Sequence, residues 1–123
     1  MIRRGYIYES TDKESDPHYF ICMDDEEEGK TMYRACIITH ASHADNCEHV
    51  SMADHHFYNN RFCKVRYDLV RGTYLVVVGF EKKVVNIVPQ PVGQLRPAGL
   101  TFVEEQMHGH EYAYFPKPIN KYP

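Results

Sequence analysis

The sequence predicts a mainly β domain with one C-terminal helix, a small and strongly bent barrel or β-roll. Three observations point there. Five or six short apolar or aromatic runs of strand length are separated by polar turns. The aromatic share is 13%, with ten tyrosines, six phenylalanines and no tryptophan, and such residues favour strands. Helical periodicity stands out once, over Pro97–Met107.

Gly5–Glu9 reads as a short strand with Tyr6 and Tyr8 on one side and Ile7 on the other. Ser10–Pro17 is polar and ends in Asp-Pro, a loop signal. His18–Met23 and Thr31–Thr39 are apolar runs around the charged turn Asp24–Lys30, the pattern of a β-hairpin. The five consecutive acids of that turn read as a solvated loop, and they lack the alternating ligands of an EF-hand.

His40–Asn60 is irregular, polar and rich in histidine, with Val50–Met52 as a short strand inside it. Phe62–Tyr67 alternates, putting Lys64 and Arg66 on the outer face of a half-buried strand. A turn at Arg71-Gly72-Thr73 leads into Thr73–Phe80, apolar enough to be a central strand. Glu81-Lys82-Lys83 reads as a turn or bend, and Val84–Val88 as a strand that Pro89 and Pro91 end.

Pro97 suits the first helical position, where no amide donor is needed. Leu100, Val103 and Met107 form one apolar stripe, Gly99 weakens the helix, and Gly109 can stop it. One domain is expected over 1–109, followed by a Pro/Tyr-rich tail over 110–123.

Composition narrows the function classes. The chain has 123 residues, 43% hydrophobic and 25% charged, which suits a single folded core. The net charge of −3 hides a split. Residues 1–60 carry five Lys/Arg against twelve acids, whereas 61–83 carry six against two. That basic segment reads as part of a mixed surface or, more sharply, as a face for an anionic partner such as RNA.

The start, Met-Ile-Arg-Arg-Gly-Tyr, has no apolar run behind its basic pair, so no signal peptide is expected. The longest apolar run, Tyr74–Val78, is far too short to cross a bilayer. A cytoplasmic protein without a membrane partner is expected. Its four cysteines (Cys22, Cys36, Cys47, Cys63) are then free thiols.

His40, His43, Cys47 and His49 fall within ten residues. All four could ligate zinc, but the spacing matches no standard finger, and no metal or other cofactor is expected. Histidine also suits acid–base chemistry. RNA cleavage without a metal needs a base for the ribose 2′-hydroxyl, an acid for the leaving oxygen and cations for the phosphorane. Lys64, Arg66 and Arg61 could hold phosphate, with Thr39 and Ser42 at a strand end to orient it. Asp54-His55-His56-Phe57 reads as a turn with Asp54 capping and Phe57 anchoring, or as Asp54 set beside a histidine to orient it for acid–base work.

Taken together, the chain resembles the MazF/PemK-like toxins over roughly residues 5–107. Gly5-Tyr6-Ile7 looks like the opening strand, and His18–Met23 sits where the second strand lies. Ala35-Cys36-Ile37-Ile38-Thr39 resembles the third strand, and Val92-Gly93-Gln94-Leu95 with the helix to Met107 resembles the closing turn and helix. A PemK-like subgroup with a histidine-aromatic second strand is nearer still, through Asp45-Asn46-Cys47, Asp54-His55-His56-Phe57 and Cys63–Tyr67.

The resemblance implies a small SH3-like/PemK-like β-barrel. It also implies an endoribonuclease cutting single-stranded RNA, usually a homodimer with a protein antitoxin, and no DNA partner is expected. The family's second strand commonly opens with Arg-Pro, whereas this chain reads Asp16-Pro17-His18. Either His18 takes over the arginine's role as acid or base, or the activity is absent. The catalytic set read from this is His18, His55 and Thr39, with Lys64, Arg66, Arg61 and Ser42 binding RNA. The alternative is a non-catalytic interaction module, meeting a protein partner through Asp24–Glu28 or the aromatic tail.

Overall fold

The structure, a computed structural model, describes residues 2–11, 19–43, 47–58 and 72–114. The strand expected over Phe62–Tyr67 lies outside the described residues, as do His18, Arg61, Lys64 and Arg66.

The architecture is mainly β with one C-terminal helix. The elements are β1 (Tyr6–Glu9), β2 (Tyr19–Cys22), β3 (Met32–Thr39), β4 (His49–Ser51), β5 (Tyr74–Lys83), β6 (Gly93–Gln94), α1 (Pro97–Met107) and β7 (Tyr112–Tyr114). Single 3-10 turns stand at Asp54–His56 and Val84–Asn86. The strands pair antiparallel in the order β4-β5-β3-β2-β1-β6, and β7 joins β5 in parallel.

The β2–β3 hairpin forms where the two apolar runs predict it, with Ile21 opposite Cys36 and Phe20 opposite Ile37. Alternation then sorts the side chains into two faces. Ile7, Ile21, Cys36, Ile38, Leu75 and Val77 share one buried cluster with Val103 and Met107 of α1. Tyr8, Phe20, Cys22, Tyr33 and Ala35 share another with Ile2 and Ile87. A sheet buried on both faces explains why β5 is apolar nearly throughout its first half.

The acidic turn is put to structural use. Asp24 accepts from the Arg34 backbone N–H at 2.8 Å and from Arg34 Nε and Nη2 at 3.0 and 2.8 Å, with Lys30 Nζ at 3.5 Å. Asp25 accepts from the Arg4 backbone N–H at 3.1 Å, and Glu26 Oε1 from that of Ile2 at 3.0 Å. Arg4 also pairs with Glu104 of α1. The turn is solvated as expected, with Asp25–Glu28 exposed, and three of its five acids in addition clamp the first residues of the chain and the hairpin.

Two further expectations change. β5 does not turn at Glu81-Lys82-Lys83 but runs on to Lys83, because Glu81 stands opposite Arg34 and Lys83 opposite Met32 on β3. Charged residues are tolerated where opposite charges face each other across a ladder. The expected strand over Val84–Val88 is a 3-10 turn at Val84–Asn86 followed by an isolated bridge between Ile87 and Ser10. The Val84 N–H goes to Thr31 O at 2.9 Å and that of Ile87 to Val84 O at 3.1 Å, so the segment curls under the β3 start.

The tail also contributes. Gly79, opposite Cys36, leaves a notch: a Cβ there would lie 2.7 Å from both Glu111 O and the Tyr112 ring. β7 lays Tyr112 into that notch, with its hydroxyl 3.7 Å from Cys36 Sγ and its ring 5.2 Å below the Arg34 guanidinium.

Helix α1 spans the expected residues, with Pro97 in its first turn and Gly99, Val103 and Met107 buried. Its docking rests on Gly99. A Cβ at that position would stand 2.2 Å from His56 O, closer than any side chain permits. The glycine is thus a packing requirement, not a mere weakness in the helix. The adjacent Arg96 N–H donates to His56 O at 2.9 Å, and Tyr58 N–H to Gln94 O at 2.9 Å. These two bonds make the Phe57–Leu95 bridge, which links segments continuing from the two ends of the strand path.

In an exposed helix Gly→Ala adds up to about 1 kcal/mol of stability. Here Gly99→Ala is expected to lower it by about 1–3 kcal/mol through overpacking, read as the urea midpoint. A midpoint at or above wild type would contradict the packing described. Asp24→Ala is expected to cost about 1.5–3 kcal/mol, since it strips hydrogen bonds to a charged acceptor, and the same titration checks it.

Candidate functional site

The polar residues singled out in the sequence gather mainly where β3 ends. Thr39 closes β3 and stands opposite Tyr74, the first residue of β5. Its Oγ1 accepts from the Ala41 N–H at 3.2 Å, a local hydroxyl turn that fixes the next peptides. The oxygen keeps its own hydrogen to donate. Exposed Ser42 follows in the bend.

His40, also exposed, places Nδ1 3.1 Å from Gly72 O. A carbonyl can only accept, so Nδ1 carries the proton and Nε2 is left as an acceptor. His49 opens β4 with Nδ1 2.7 Å from Ala41 O, which sets the same tautomer, and its Nε2 lies 3.6 Å from Cys47 Sγ. One rim thus carries Thr39, His40, Ser42, Cys47 and His49. Among the described residues, no three His, Cys, Asp or Glu side chains are grouped to hold a metal ion.

His55 lies elsewhere. Thr39 and Ser51 both pair with Tyr74, on its opposite sides. Two strand spacings separate them, roughly 10 Å. His55 comes after Ser51, exposed in the 3-10 turn, with its ring 4.5 Å from that of His56. Thr39, His40 and Ser42 are near neighbours in the chain, and the fold adds His49 through Ala41 O; the sequence offered both histidines only as zinc ligands.

The Asp-His-His-Phe string works mainly as a joint. Phe57 is buried, as an anchor should be. The amide of Ala53 is capped by His56 Nδ1 at 3.0 Å, not by the Asp54 carboxylate. The His56 ring also stacks on Phe102 of α1, centroids 4.6 Å apart. No local signal marks His56 over His55, because its stacking partner comes from a helix far along the chain.

The Cys–His contact did have a signal. Residues two apart on extended chain share a face, and Cys47 and His49 are spaced so. The other described thiols are inert: burial pushes Cys22 up to about 11 and Cys36 to about 12.

Among the described residues, no helix is long and apolar enough to cross a membrane. Comparison of the chain with protein-family models, curated proteins and solved structures gives no match.

Burial, and then the neighbouring His55, hold His56 below the usual histidine range. The unfolded chain therefore binds the extra proton more readily than the fold does. Stability from this group is complete above the unfolded value, near pH 6.5, and is lost as pH falls from there toward the lower folded value. Urea midpoints measured across that window should fall toward acid more steeply for wild type than for His56→Gln. Equal slopes would dismiss the role given to His56.

Proposed function

We propose that the chain is a metal-independent endoribonuclease of the MazF/PemK type, acting on single-stranded RNA at the β3 rim. The observation that carries this reading is His40 held on Gly72 O at the end of β3, with Thr39 before it and exposed Ser42 in the bend after it. The basic residues Arg61, Lys64, Arg66 and Arg71 belong to the segment that runs directly into Gly72.

In this mechanism Thr39 Oγ1 and Ser42 donate to the scissile phosphate. His40, with Nδ1 engaged by a carbonyl, presents Nε2 as the base that takes the ribose 2′-proton. The acid that protonates the leaving oxygen is His18 on the sequence reading, and the basic segment offsets charge on the phosphorane. Toxin action, a homodimer, a protein antitoxin and a cytoplasmic setting belong to the same proposal. The first three rest on the family resemblance, and the cytoplasmic setting on the expected lack of a signal peptide.

The interaction-module alternative loses part of its support. Asp24, Asp25 and Glu26 of the acidic turn are already engaged within the chain.

Purified protein incubated with a mixed single-stranded RNA pool in EDTA should yield discrete fragments. His40→Ala and Thr39→Val should slow cleavage by about a hundredfold or more while leaving the circular dichroism spectrum unchanged. A wild-type protein that cleaves no faster than the His40→Ala variant would end the proposal.

A further inference from the structure

We propose that Cys47 and His49 form a nucleophile–base pair, making Cys47 a site of thiol–disulfide exchange with small disulfides. The inference is independent of any action on RNA.

Three contacts stand in series. Thr39 Oγ1 holds the Ala41 peptide, Ala41 O holds His49 Nδ1–H at 2.7 Å, and His49 Nε2 faces Cys47 Sγ at 3.6 Å. A nucleophile beside a base that a third group orients is the arrangement of nucleophilic catalysis. Cys47 differs from the other described cysteines in two respects. It is half-buried, within reach of solvent, whereas Cys22 and Cys36 are buried. It alone among them contacts an imidazole; Cys22 Sγ donates to Asp24 O and Cys36 Sγ meets the Tyr112 hydroxyl.

Partial burial pushes the Cys47 thiol up, so a resting thiolate is not what makes it react. The proton must leave during attack, and Nε2 is the acceptor placed to take it. The reaction then balances. Cys47 Sγ gives its proton to His49 Nε2 and bonds to one sulfur of the incoming disulfide. The S–S bond of that disulfide breaks, and the departing thiolate takes the proton back from Nε2. The products are a mixed disulfide on Cys47 and one free small thiol. A soft sulfur electrophile fits a pair that shows a thiol and a base at a half-exposed rim.

Glutathione disulfide is the probe, with the adduct placed by peptide mapping and its rate of formation followed from about pH 6 to about pH 9. The expected adduct is on Cys47. Its rate should level off below the range of an ordinary thiol, near 8.5. His49→Asn keeps an N–H for Ala41 O but removes the base, and should slow the adduct at least about tenfold. Three results would overturn the pairing: an adduct chiefly on another cysteine, a rate that climbs tenfold per pH unit through that range, or a folded His49→Asn variant reacting as wild type does. If His49→Asn does not fold, the wild-type pH profile decides alone.

Discussion

The carbonyl of His56 occupies the space that a side chain at position 99 would need, and the closing end of the fold depends on that approach. Glycine at this turn of α1 lets the helix settle on the 3-10 turn. The same carbonyl takes the Arg96 amide, and Phe57 can then bridge to Leu95. Imidazole stacking on Phe102 and the capped Ala53 amide hold the turn in register. Helix, β6 and the segment after β4 thus meet at this approach, with Val103 and Met107 of the helix buried in the core beside Phe57 and Leu95.

Much of the fold was legible in local pattern. Two apolar runs around a charged turn gave the hairpin, and Pro97 with its 3 and 4 spacing gave the helix limits. What escaped were features set by distant partners. The charged end of β5 looked like a turn because Arg34, the residue opposite Glu81, lies on another strand. The apolar run after it looked like a strand, although the Val84 amide goes to Thr31, that of Ile87 back to Val84 and only that of Val88 across to Glu9 of β1. The tyrosines of the tail are packing candidates by type, but nothing local says that Tyr112 is the one that fills the notch at Gly79.

The site was legible in its residue types more than in its grouping. Thr39 and Ser42 do stand at a strand end, but the histidines beside them are His40 and His49. His55 drew attention because it sits next to an aspartate, yet the ordering in that turn falls to His56. Backbone carbonyls of Ala41 and Gly72 choose the tautomers of His49 and His40. Carbonyl direction depends on how chain ends are folded back, which no motif records.

The strand pairing has a consequence for how the chain is made. β1 lies beside β6, and β5 receives β7, so strands from early and middle parts of the chain wait for partners near its end. On a ribosome the sheet cannot complete from one side to the other as residues emerge. One edge of β1 stays open until β6 has left the exit tunnel, and the Gly79 notch until Tyr112 has. Assembly is therefore a late, collective event with long loops to close, the pattern of a slow folder.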